Sequence, residues 1–341
     1  MLELRPSRLA GLAAGAVVCL AACSSAAPAP SPSPVHGATV TISTGVNPAG
    51  VAVNDFAWVA NAGEGTVSKV DLRTNRPVAR ISVGDPHGLA GCDSHNVHQT
   101  PHGDFRIRNC DLPKAVAATR GAVWAGRGDT QSLVRIDPVS NRVVASIPVG
   151  VEPWYIAASD TAVWLTDWRT NTVVRVDPAT NRAVATIPNL PAGPTGIAIA
   201  PGGVWVASSR ADTLTRIDPT TNQAANAVAT DLVPLPVLYA YGSIWVRNEF
   251  REGNGTVQRV DPATGQVVAT IPVGPDIGRD GLDGLAALDG GVWVAGLDME
   301  RIDPTTNSAT RPIRHTANAV TAGAGSLWTV DIAYAVSRIT P

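Results

Sequence analysis

Seven tryptophans sit inside seven similar phrases: FAWVAN (Trp58), AVWAGR (Trp124), AVWLTD (Trp164), GVWVAS (Trp205), SIWVRN (Trp245), GVWVAG (Trp293) and SLWTVD (Trp328). A second phrase follows each of them: KVDLRTNR, RIDPVSNR, RVDPATNR, RIDPTTNQ, RVDPATGQ, RIDPTTNS and a terminal RITP. A third closes most copies, as in ARISVG, ASIPVG, ATIPNL and ATIPVG. Most of the intervals lie near 40 residues. Repetition at that interval means that one unit is copied along the chain. A single copy cannot bury its own apolar face, so copies must stack.

Each unit reads as four short strands. Strand a is the small apolar stretch before the tryptophan, strand b carries the tryptophan, strand c is the alternating VVRVD type, and strand d is the AVATIPV type. Asp-Pro-x-Thr-Asn joins c to d. Its proline presets φ, its aspartate accepts local backbone hydrogen bonds, and its asparagine tolerates a left-handed backbone. The a–b links (PGG, YGS, LDGG) are equally tight. The seventh unit stops after strand c, at Arg338-Ile339-Thr340-Pro341, while Ala38–Gly45 (ATVTISTG) matches the d strand Val267–Gly274 (VVATIPVG). The expected fold is all-β: a seven-bladed β-propeller whose N-terminal strand completes the last blade and removes the open edge.

The propeller spans 38–341, with an insertion at 85–112. Ahead of it, Arg5 and Arg8 precede an apolar run too short to be a comfortable membrane span. That run ends in Leu20-Ala21-Ala22-Cys23, and a Ser/Pro/Ala tether follows over 23–37. Residues 1–22 therefore read as a signal peptide. The Leu-Ala-Ala-Cys run resembles a bacterial lipobox, which implies cleavage before Cys23, a lipid on its thiol, and residence in the cell envelope with membrane contact through that lipid. The formal net charge is −2, which gives no general electrostatic case for nucleic acid.

The repeat phrases resemble those of the YVTN-type, YncE-like seven-bladed propellers, and equally those of virginiamycin B lyase-like propellers. The first resemblance implies a binding fold. The second implies a lyase- or lactonase-like enzyme with a divalent metal at the central channel, although the family's catalytic His and Glu have no counterpart that can be placed here. Otherwise no cofactor is expected. The fold hosts many unrelated activities, so function has to be argued from the loops.

Whatever all seven units share is architecture. The tryptophans should fill the wedges between blades. The cation two residues before each turn Asp (Lys69, Arg135, Arg175, Arg216, Arg259, Arg301, Arg338) should make a blade-to-blade or strand-to-turn contact. Strand order puts the d-to-a and b-to-c loops on one face, and every irregularity in the repeat falls there. Binding residues favour variable loops on a rigid scaffold. That face carries Trp154, Tyr155, Trp168, Arg169, Arg210, Arg251 and Arg279, a set of cations and aromatics suited to an anionic polymer, a glycan or single-stranded nucleic acid. An unknown protein partner is the other expectation, for a monomeric binding module without catalysis.

The channel mouth should be ringed by Lys114, Trp154, Thr195, Leu235, Asp283 and Asn318. One Asp and one Asn facing a Lys and a Leu do not make a hard-cation site. Within the insertion, Cys92 and Cys110 are the cysteines left after the signal and lipidation positions, and they are expected to pair in an oxidising compartment. His95, His98 and His102 lie between them. They would share a metal only on a helix, and the Pro, Gly and Asn nearby argue against one.

Overall fold

The computed structural model describes residues 38–84, 97–100, 103–106, 113–128, 130–249, 254–275, 284–331 and 335–341, with backbone alone for 97–100 and 103–106. The expectations for Cys23, the Cys92–Cys110 pair, His95, His102, Arg251, Arg279 and Asp283 fall outside the described residues, as does the side chain of His98.

Among the described residues there is no helix, and seven antiparallel sheets follow one another along the chain. Six of them are built from consecutive strands, as in blade 3 (Tyr155–Ala158, Val163–Asp167, Thr172–Asp177, Arg182–Ile187). The outer strand of blade 4 is split into Gln223–Ala224 and Val228–Ala229, both paired with the blade's third strand. Blade 7 takes its outer strand from the other end of the chain: Ala38–Ile42 pairs with Val336–Thr340, Ala38 opposite Thr340 and Ile42 opposite Val336. A short hairpin, Val97–Thr100 with Gly103–Arg106, stands apart from the blades within the insertion.

The repeat tryptophans are all at most 3% exposed and pack between consecutive blades. Trp58 shares a cluster with Val67 and Ile81 of its own blade and with Val123, Val134 and Ile136 of blade 2. Trp328 of blade 7 packs with Ala57, Val59 and Val70 of blade 1, which closes the ring. Truncating one such side chain to alanine costs about 3–5 kcal/mol.

The recurring cations tie the blades together. Lys69 Nζ donates to Pro138 O (2.7 Å) and Asn141 Oδ1 (3.1 Å) in the next blade's turn. Arg135 does the same to Pro178 O and Asn181 Oδ1, Arg175 to Pro219 O and Asn222 Oδ1, and Arg259 to Pro304 O and Asn307 Oδ1. Arg338 closes the circle onto Leu72 O and Asn75 Oδ1. Each of these five cations also lies over its own blade's tryptophan, 5.2–5.4 Å from a ring centroid.

Two cations depart from the pattern. The turn of blade 5, the one facing Arg216, carries Gly265 where other turns carry asparagine, and Arg216 folds back onto Gly202 O of its own blade. Arg301 faces blade 7, whose c and d strands come from opposite chain ends and have no such turn between them; it reaches Asp289 O instead.

The turn asparagines adopt the left-handed backbone expected of them (Asn75, Asn141, Asn181, Asn222 and Asn307, φ 54 to 57°). The turn aspartates accept backbone N–H bonds, as Asp137 does from Val139 (2.7 Å). Those bonds are the main reason that Asp71, Asp137, Asp177, Asp218 and Asp303 titrate below the ordinary carboxylate range.

Candidate functional site

Every strand a begins, and every strand b ends, on the face that carries the d-to-a and b-to-c loops. The inner strands crowd one another there. A Cβ on Gly50 would stand 2.8 Å from Lys114 O, and one on Gly196 would stand 2.8 Å from Val237 N. Backbone that close to backbone leaves no room for a side chain, so the first residues of the inner strands are fixed rigidly.

On this base, four of the expected residues come together in one column across blades 2 to 4. Lys114, from the start of the blade 2 inner strand, holds its Nζ 4.5 Å from the centroid of the Trp154 ring. Trp154, just before the blade 3 inner strand, stacks on Trp168 of the following b–c loop, with centroids 5.9 Å apart and planes at 41°. Arg210, from the b–c loop of blade 4, lays its guanidinium 3.6 Å from the centroid of Trp168. The order is cation, indole, indole, cation. All four side chains are half-buried.

The loops beneath are stiff. Asp167 is 2% exposed and accepts from Glu152 N (3.2 Å), Arg169 N (2.8 Å) and Thr170 Oγ1 (2.9 Å), binding the d–a and b–c loops of blade 3 together. Arg169 pairs with Glu152 at 3.4 Å, so its charge is partly spent within the protein. Gly193, at φ +74°, lies under Arg210; a Cβ there would meet Arg210 Cγ at 3.0 Å. Tyr155 begins the blade 3 inner strand and is half-buried against the blade 3–4 core that holds Trp164 and Ile197.

The guanidinium of Arg210 makes no hydrogen bond or ion pair among the described residues, and its Nε is buried without an acceptor. Burial lowers its pKa from the ordinary arginine value. The indole N–H of Trp154 is also buried and unpartnered. The repeat tryptophans Trp124 and Trp205 carry the same buried, unpartnered indole N–H, so this feature does not by itself mark a ligand site. The aromatic faces are a different matter. Each ring has a protein cation on one side and the other indole beside it, so the pair is no open platform for a sugar or a base.

Of the channel-mouth set, Thr195 is buried and donates to Pro234 O (3.0 Å), and Leu235 is buried, which makes both of them packing residues. Asn318 is half-buried, and its Oδ1 lacks a donor. Among the described residues no three His, Cys, Asp or Glu side chains gather as a metal site.

Two features of this face were not found in the sequence. His315, between blades 6 and 7, sets Nε2 2.7 Å from Asp331 Oδ1 and 3.0 Å from Thr329 Oγ1. Asp331 also accepts from Ser337 Oγ at 2.6 Å. The signal lay in Asp331 ending a b strand where Asp167 ends another. Arg247 is 1% exposed and donates to Ala295 O of blade 6. The other units carry Ala, Gly, Thr or Val at that position, and this break in the repeat was legible.

No family model matches the chain, and no curated protein matches it in sequence. Solved structures do. The hydrazine synthase of Kuenenia stuttgartiensis aligns with a TM-score of 0.68 at 13% identity, over 90% of this chain and 99% of that one. A streptogramin B lyase aligns at 0.64 and 13%, over 88% and 96%. The WD40 propeller domain of Doa1 aligns at 0.66 and 11%, over 89% and 96%. At such identities the likeness is one of fold.

Proposed function

We propose that this seven-bladed propeller is a binding module without catalysis of its own, and that it holds an acidic polymer on its d-to-a/b-to-c face. The observation that supports this reading is the Lys114–Trp154–Trp168–Arg210 column. It presents two cations, each seated on an indole and held in place by it. A cation held in this way gives up little side-chain freedom when it meets an anion, and a partly desolvated one attracts more strongly than one in bulk water. The Leu20–Cys23 run supports tethering in the cell envelope by a lipid at Cys23, where acidic glycans would be within reach. The repeat phrases support kinship with the YVTN-type, YncE-like propellers.

The test is calorimetry with polyglucuronate and with a neutral polysaccharide of similar length. The acidic polymer should bind and the neutral one should not. Raising the salt should weaken binding. Lys114→Ala with Arg210→Ala should reduce affinity about tenfold or more, roughly 1.4 kcal/mol. Equal binding of both polymers, or no effect of the double variant, would sink the reading.

A second reading is favoured by His315 and Asp331. A carboxylate that fixes one imidazole nitrogen leaves the other as a base, so lyase- or lactonase-like chemistry on the same face has a candidate. Under that reading the acidic polymer would be consumed during the titration, and His315→Ala would stop its loss.

A further inference from the structure

We propose that the outer seam of blade 7 is a latched opening. Arg80 and Glu64 of blade 1 hold the segment just after Ala38–Ile42, and loosening that pair lets the strand peel from Val336–Thr340 while the other blades stay closed.

Blade 7 is the one blade whose outer strand is not carried into its sheet by a turn. In blades 1 to 6 the outer strand follows the third strand of the same blade, whereas Ala38–Ile42 meets Val336–Thr340 from the opposite end of the chain. A turn keeps a parted strand at high effective concentration beside its partner, and this pair has none. Side chains hold the strand weakly. Ala38 to Thr41 are exposed, and only Ile42 is buried, beside Ala57, Val59 and Trp328. What keeps the strand in register is therefore the stretch that follows it.

That stretch is fixed to blade 1. Ala62 N donates to Asn47 O (2.9 Å) and Gly63 N to Val46 O (2.8 Å). Gly45 passes so close that a Cβ on it would stand 2.5 Å from Glu64 Oε1. Arg80 completes the hold. Its Nη2 donates to Thr44 O, and its Nε lies 3.4 Å from Glu64 Oε1, which also accepts from Thr66 Oγ1 at 2.6 Å. The same outer-strand position is Ser146, Thr186 and Thr270 in blades 2, 3 and 5, so an arginine is not needed to build a blade. Water and salt reach the pair, since the Arg80 side chain is 54% exposed and that of Glu64 20%. An ion pair of this kind shifts an equilibrium by up to about fivefold. Opening pivots at Thr44, just ahead of the residues bonded to blade 1, and bares the edge of Val336–Thr340.

Hydrogen–deuterium exchange of the full chain, read by mass spectrometry, tests the latch. Peptides covering 39–42 and 336–340 should exchange together, at least about tenfold faster than those covering Arg142–Pro148, an outer strand that has its turn. Arg80→Thr puts in the residue that blades 3 and 5 carry at this position. It should speed both seam peptides about three- to fivefold and leave Arg142–Pro148 unchanged. Salt at about 1 M, which screens charges beyond roughly 3 Å, should speed the seam in the parent protein and add little to Arg80→Thr. Seam peptides no faster than Arg142–Pro148 overturn the proposal. So does an Arg80→Thr variant with an unchanged seam, or one in which every blade exchanges faster, since that is loss of overall stability rather than release of one strand.

Discussion

A side-chain amide oxygen in five of the c–d turns decides how one blade holds the next. Asn75, Asn141, Asn181, Asn222 and Asn307 each combine a left-handed backbone with an Oδ1 that receives a cation from the preceding blade. Glycine can supply the backbone conformation but not the oxygen, and Gly265 (φ +73°) does only that. The consequence is visible in Arg216, which turns back to its own blade. Gly265→Asn should therefore restore the missing link. The nearest atoms to a Cβ there are Val228 Cγ2 at 3.4 Å and Trp205 at 3.7 Å, ordinary contact distances. Urea denaturation should show a gain of about 1 kcal/mol, the net worth of one hydrogen bond to a charged group less the bond to Gly202 that is given up. A gain that persists when Arg216 is also changed to Ala would contradict this account.

Within the elements, the inner strands carry the tightest constraint. Gly196 lies against the backbone of Leu235 and Val237 in the neighbouring blade, and backbone cannot move aside as a flexible side chain can. Gly196→Ala should destabilise by about 3 kcal/mol or more, at the upper end of overpacking costs. Gly121→Ala should change stability by no more than about 0.5 kcal/mol, because nothing lies within 4 Å of its Cβ position. Thermal melts of the two variants make the comparison, and similar losses in both would refute the close-approach argument. The elements themselves were legible: alternation, tryptophan phrases and turn chemistry all point to the same strands. The column was legible only in its membership. The chain shows Lys114, Trp154, Trp168 and Arg210 on one face, but nothing in their spacing says that two indoles would stack and draw a cation to each end. His315 was missed for a similar reason. Its partner Asp331 lies 16 residues away and meets it only through the fold.

For the whole molecule, closure is the central fact. Blade 7 is finished by Ala38–Ile42, and Arg338 of that blade is strapped to the turn of blade 1. Deleting residues 38–44 should expose the edge of Val336–Thr340, a ready template for pairing with other chains. Size-exclusion chromatography should then show association, and a peptide spanning 38–44 supplied in trans should restore the monomer. A truncated chain that stays monomeric with an unchanged melting point would mean that the ring does not depend on this strand.

The direction of that closing strand sets an orientation. Ala38 lies opposite Thr340, at the side of the disc bearing the Asp-Pro-x-Thr-Asn hairpins, and the strand runs from there to Ile42 at the loop side. The segment preceding Ala38 therefore joins the propeller on its hairpin side, opposite the face that bears the Lys114–Arg210 row, and leaves that row clear of the chain's own entry point.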